Sequence, residues 1–197
     1  MILSLNTLLP MVWRTIKNPR EGAEEVLSLG IPREALWPLL VLVLVLSIIL
    51  GQITTLLVAS AAGVTVTGPL ANPMVTGVLQ FALLLVTIFA IHVIGRSFGG
   101  TGNLGETILL VAWLQFVMVC IQVVQTAFML ILPPVGSLLG IVGLVLFLWL
   151  LTNFVAVVHG FRSLGQVFVM ILVSMFVLAF VLSILLTLAG VSVPGQI

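Results

Sequence analysis

Leu36 to Ser60 reads LWPLLVLVLVLSIILGQITTLLVAS, a stretch with no charged residue anywhere in it. A helix rises about 1.5 Å per residue, so roughly 20 apolar residues cover the ~30 Å of hydrocarbon in a bilayer. This stretch is long enough to cross. Four more of comparable length follow, at Asn72 to Gly95, Leu104 to Leu132, Gly136 to His159 and Leu164 to Ala189, again without a charge in the middle. Their separators are turn-like: Gly63 to Asn72, the pair Pro133 and Pro134, Arg96 to Gly105, and Gly160 to Ser163. The ten-residue alternation of a membrane β-barrel is missing, and only helices satisfy so much backbone in lipid. The expected fold is therefore an all-α polytopic membrane bundle with about five transmembrane helices and a short amphipathic amino-terminal arm.

Composition agrees. Of 197 residues, 62% are hydrophobic and 6% are charged, against about a quarter charged in a soluble domain. A soluble chain must coat itself with polar groups, whereas one in lipid can turn Leu, Val, Ile and Phe outward. The net charge of +1 gives no field that would attract nucleic acid. The single cysteine, Cys120, excludes an internal disulfide and a thiolate pair for a metal. Met1 to Leu9 lacks a preceding positive flank and is broken by Asn6, Thr7 and Pro10, a poor signal peptide. The chain is expected to insert through its own first span and stay whole.

The basic residues orient the bundle, because Lys and Arg near span ends are retained on the cytoplasmic side. Arg14, Lys17, Arg20 and Arg33 precede the first span, Arg96 separates the second from the third, and Arg162 the fourth from the fifth. With five spans, all six fall on one face. Ala61 to Ala71, Pro133 to Val135 and the tail from Gly190 to Ile197 carry no charge. The expected division is a cytoplasmic arm over 1–35, a five-helix domain over 36–190 (spans 36–60, 72–95, 104–132, 136–159 and 164–189), and a short external tail over 191–197. The expected location is a bacterial cytoplasmic (inner) membrane, with the amino terminus inside.

Helix-start signals fit these boundaries. A capping box pairs a short polar residue with Glu or Gln three positions on, and Asn18 with Glu21, Asn103 with Glu106, and Ser163 with Gln166 qualify. Asn72 before Pro73 suggests the start of the second span. In the arm, Leu9, Val12, Trp13 and Ile16 recur at helical spacing, with Arg14, Lys17 and Asn18 on the opposite arc, which predicts a short helix lying in the membrane interface. A second short helix, from Pro19 to about Leu29, should stop at Gly30 with Pro32 beyond, and Trp37 should sit at headgroup depth.

Two groups of polar residues are candidates for chemistry. His92, Arg96, Glu106, His159 and Arg162 all fall near the cytoplasmic ends of the spans. They read either as a metal or proton-relay cluster or as interfacial groups pairing with Glu106 or lipid phosphates; their spacing matches no ligand motif. Deeper lie Gln52, Gln80, Gln115, Gln122, Gln125 and Asn153. Of these, Gln115, Gln122, Gln125 and Asn153 read as interhelical glue or as a transport path; no ionisable residue accompanies them at mid-membrane depth. Gly136, Gly140 and Gly143 would admit a close helix neighbour. Gly99, Gly100, Gly102 and Gly105 resemble a phosphate loop in composition alone, since no GK[ST] follows, and are expected to form a tight turn. The chain contains no aspartate, and its acids outside the arm reduce to Glu106, so triads and paired carboxylates are not expected. No enzyme activity, cofactor or metal is expected.

GGTGNLGETILLVAWLQ from Gly99 to Gln115, VVHGFRSLGQVFVMIL from Val157 to Leu172, and the opening Trp13, Arg14, Lys17, Asn18 and Pro19 together resemble the Ypt-interacting protein (Yip) family, in a bacterial-type form. The resemblance implies a five-span helical membrane protein with a cytoplasmic amino-terminal arm. Eukaryotic relatives bind Rab-type GTPases in vesicle traffic. This chain lacks their long acidic, Tyr-containing arm and has no Tyr, which leaves Rab binding doubtful. The expected role is that of a non-catalytic membrane organiser or scaffold. The alternatives are a small transporter or channel lined by Gln115, Gln122, Asn153 and His159, or an accessory subunit of a larger membrane complex. The expected partners are the lipid bilayer together with a second copy of the chain or other membrane proteins, and no nucleic acid.

Overall fold

A computed structural model describes residues 5–65, 68 and 71–188. The expected external tail, 191–197, lies outside these, as do four residues of the Gly63 to Asn72 break. The described chain forms α1 (Leu5–Lys17), α2 (Pro19–Ser28), α3 (Arg33–Ala62), α4 (Pro73–Ser97), α5 (Leu104–Ile131), α6 (Pro133–His159) and α7 (Leu164–Leu188). No strand occurs among the described residues. Helices α3 to α6 are each long and apolar enough to cross a membrane, and α7, with 25 residues, is a fifth apolar helix. The protein is a polytopic helical membrane bundle.

Helix α5 is the axis of the bundle. It packs against α3 on one side and α6 on the other; α4 lies across α3 and α5, and α7 rests on α6. One core cluster joins the arm to α5, α6 and α7 through Met11, Val26, Trp113, Val117, Leu150, Phe154 and Val167. A second joins α3, α4 and α5 through Leu40, Leu44, Leu84, Ile88 and Val111. Half of the most apolar stretch of α5 and of α6 is buried, against 17% for α3 and 11% for α4. The outer helices therefore present Leu56, Val78 and Phe176 outward, an arrangement that lipid tolerates and water does not.

Local chemistry explains the helix ends. Asn103 and Glu106 form the full capping box: the Asn103 side chain accepts from the Glu106 N–H at 2.9 Å, and the Asn103 N–H donates to the Glu106 carboxylate at 3.1 Å. Asn72 accepts from the Met74 N–H at 2.9 Å ahead of Pro73. Gly63 and Gly160 close α3 and α6 with φ of 66° and 71°, the left-handed conformation that glycine adopts without a Cβ penalty. Pro133 and Pro134 are the first turn of α6 rather than part of a break before it, because proline there lacks only an N–H that would have no intrahelical partner.

The box expected at Asn18 is absent. The Asn18 N–H already donates to the Arg14 carbonyl at 2.8 Å, so Glu21 has no free donor to reach, and the Asn18 side-chain amide donates to Glu21 instead, at 3.0 Å. At Ser163 only the long 3.4 Å contact from the Gln166 N–H is made.

The arm divides its apolar stripe, with Val12 buried and Ile16 packed against the core while Leu9 and Trp13 stay outward. Met11, Val12 and Thr15 are buried, whereas Leu9 and Trp13 are 54% and 59% exposed. Thr15 explains the choice: its hydroxyl donates to the Met11 carbonyl at 2.9 Å and accepts from the Trp113 indole N–H at 3.1 Å. A Cβ at Gly22 would meet the Thr15 hydroxyl at 2.5 Å, so glycine is what allows α1 and α2 to touch. Helix α2 then docks on α5 and α6.

Candidate functional site at the charged end of the bundle

Contacts between distant segments gather every basic residue at one end. Arg14 pairs with Glu25 at 2.8 Å, Arg20 reaches the Arg162 carbonyl at 3.4 Å, and the Thr101 N–H donates to the His159 carbonyl at 3.3 Å. Arg96 belongs to the last turn of α4, and Arg33 begins α3.

His159 is the centre of this end. It is 2% exposed, its Nδ1 lies 3.2 Å from the Val155 carbonyl, and Phe161 stacks on its ring with centroids 5.6 Å apart and 12° between planes. A carbonyl only accepts, so Nδ1 is the donor in that contact, and the second nitrogen of the ring is Nε2. That atom is buried without a partner, as is Nδ1 of His92. His92 and Glu106 both lie within electrostatic reach of His159, so the fold brings three of the five candidates together. Arg96 and Arg162 are exposed and stand apart from the imidazoles. Glu106 is occupied in capping α5. Among the described residues no group of three or more His, Cys, Asp or Glu is placed to hold a metal ion. Two buried ring nitrogens, Nε2 of His159 and Nδ1 of His92, are thus left without a hydrogen-bond partner at this end of the bundle.

Glycines make room for this ring. A Cβ at Gly95 would run into the imidazole, one at Gly100 would come within 2.5 Å of its Cδ2, and one at Gly102 would strike Val158. The glycine-rich turn, with Gly99 at φ 87°, is thus a cradle for the end of α6 and not a phosphate loop. Gly100 also closes α4 by donating to the Gly95 carbonyl at 2.9 Å. Sequence spacing identified the turn but not Gly95, whose partner is 64 positions away in the chain.

The deeper polar residues are dispersed. Asn153 donates to the Trp149 carbonyl of its own helix at 2.8 Å. Gln122 faces α3 at Gly51, and Gln125 faces α6 at Gly140. Gln115 is part-buried on α5. Side-chain hydrogen bonds between spans come from Gln80 to the Ser47 hydroxyl at 2.9 Å and between the Thr54 and Thr126 hydroxyls at 2.7 Å. Ser47, Thr54 and Thr126 escape sequence reading because each looks like an ordinary small polar residue in an apolar run.

No curated protein is similar enough to this chain to match it, and no solved structure is either. A family model described as the Yip1 domain does match, over residues 13–185. That interval begins at the exposed Trp13 of the arm and takes in the glycine cradle, His159 and nearly all of α7. With six further helices among the described residues arranged about α5 and a match over most of its length, the chain belongs to the Yip1 domain family.

Proposed function

We propose that this Yip-family membrane protein is a non-catalytic organiser or scaffold of a bacterial cytoplasmic membrane, with its arm on the cytoplasmic side and its carboxyl terminus outside. The docked arm carries this reading. Thr15 and Gly22 hold α1 and α2 against the bundle, and what the arm then offers outward is Leu9 and Trp13, with the Lys17 ammonium 4.9 Å from the Trp13 ring centroid. An apolar pair rimmed by cations on a fixed helix suits an interface with headgroups or a partner surface.

A photocrosslinking residue at Trp13, placed in the full chain in native membranes, tests the proposal. The expected result is a discrete adduct with a second copy or another membrane protein, weakened when Leu9 is changed to Ala. Solute flux by the purified protein in vesicles, lost on changing Gln122 to Ala, would instead establish a transporter. The accessory-subunit reading draws on α7, which rests on α6 and exposes Val173, Phe176 and Phe180; crosslinks from Phe176 to a stoichiometric partner would select it.

A further inference from the structure

Helices α1, α2, α3 and α5 leave a cleft of about 140 Å³ between them, walled by Val26 and Leu29 of the arm segment, Leu42 and Leu46 of α3, and Trp113 and Phe116 of α5. Every lining residue is apolar, and the one polar atom in its wall, the Trp113 indole N–H, is engaged by Thr15. Water has no partner there and leaves such a space dry. An empty cleft would forfeit the dispersion contacts of both walls.

The surroundings indicate what fills it. Leu42 and Leu46 are 55% and 42% exposed and continue into the outward row of Val41, Val45 and Ile49, so the cleft opens onto the surface of α3 that faces lipid. The cleft lies within one leaflet: its wall on α3 runs from Leu39 to Leu46, roughly 10 Å at 1.5 Å per residue, inside the ~15 Å of half a hydrocarbon core. Charge near the cleft's mouth is balanced: Arg33 is followed by Glu34, and Arg14 is paired with Glu25.

We propose that this cleft is a binding site for one phospholipid acyl chain from the leaflet at the charged end, recognised through the chain and not the headgroup. Because Val26 and Leu29 form one wall, seating the chain and docking the arm are coupled, and each strengthens the other.

Trp113 is a built-in reporter. The full-length protein retaining Trp113 alone, with Trp13, Trp37 and Trp149 changed to Phe, is reconstituted in phosphatidylcholine vesicles whose acyl chains are brominated. A chain retaining only Trp149, 49% exposed, is the lipid-facing reference. Although Trp113 is 7% exposed, its emission is expected to fall about as far as that of Trp149. Leu42→Phe and Leu46→Phe, made separately, each narrow the cleft and should at least halve the Trp113 quenching. The same changes in the Trp149-only chain should leave its quenching unaltered, and an unchanged thermal unfolding transition in detergent verifies that the variants fold. Brominated phosphatidylglycerol should quench equally. The proposal is overturned if Trp113 stays bright while Trp149 is quenched, as it would with a protein segment or second copy in the cleft. Quenching that ignores both Phe substitutions, or that occurs with phosphatidylglycerol only, overturns it as well.

Discussion

At His159 a side chain that is often satisfied at a surface is instead packed against backbone, and the consequences can be measured. Gly95→Ala and Gly100→Ala each place a methyl group in the space of the imidazole, and overpacking of this kind costs about 1 to 3 kcal/mol. Shrinking the ring should relieve the clash. His159→Ala combined with Gly95→Ala is therefore expected to be less destabilised than the sum of the two single changes, a coupling that unfolding in detergent can resolve through a double-mutant cycle. Additive costs would mean that the two residues do not touch. The Thr15 and Trp113 pair gives an asymmetric prediction. Thr15→Val strands a buried indole N–H and should cost about 1 to 3 kcal/mol. Trp113→Phe loses that donor along with it and leaves the Thr15 hydroxyl bonded to Met11, so its loss is confined to indole volume.

Between elements, caps and crossings decide which boundaries are firm. Two Asn residues with identical sequence credentials differ in what they do: Asn103 completes a reciprocal cap, while Asn18 has its N–H taken by Arg14. Asn103→Ala is expected to lower stability by about 0.5 to 2 kcal/mol, and Asn18→Ala by much less, since only an exposed side-chain contact with Glu21 is lost. Comparable losses in thermal unfolding would contradict the assignment. The arm illustrates how tertiary contacts divide the apolar stripe of a short helix. Leu9, Val12, Trp13 and Ile16 make the apolar stripe, and of these Val12 is buried beside Met11 and Thr15, on the face that gains the hydrogen bond to Trp113 and the close approach at Gly22.

For the whole molecule, the expected outcome concerns sidedness. Cys substituted at Arg14 and at Arg162 should react with a membrane-impermeant maleimide from the same compartment, and Cys at Val64, beyond the opposite end of α3, from the other. Labelling of the Arg14 and Arg162 positions from opposite sides would dismantle the five-span topology. Much of that topology could be read directly from the chain. Long uncharged runs have only one hydrogen-bonded solution in lipid, proline and glycine punctuate them, and cations cannot cross freely. The all-helical class and the run of long apolar helices therefore follow from composition and order alone. The candidate site was legible only in outline: the ends of spans two to five could be grouped, but which of their side chains meet could not. That depends on how far α4 and α6 rotate about their own axes, and a helix that is apolar all round carries no moment to set its rotation. Only packing settled it, by closing His159 over Gly95 and Gly100 and leaving Arg96 and Arg162 in the open.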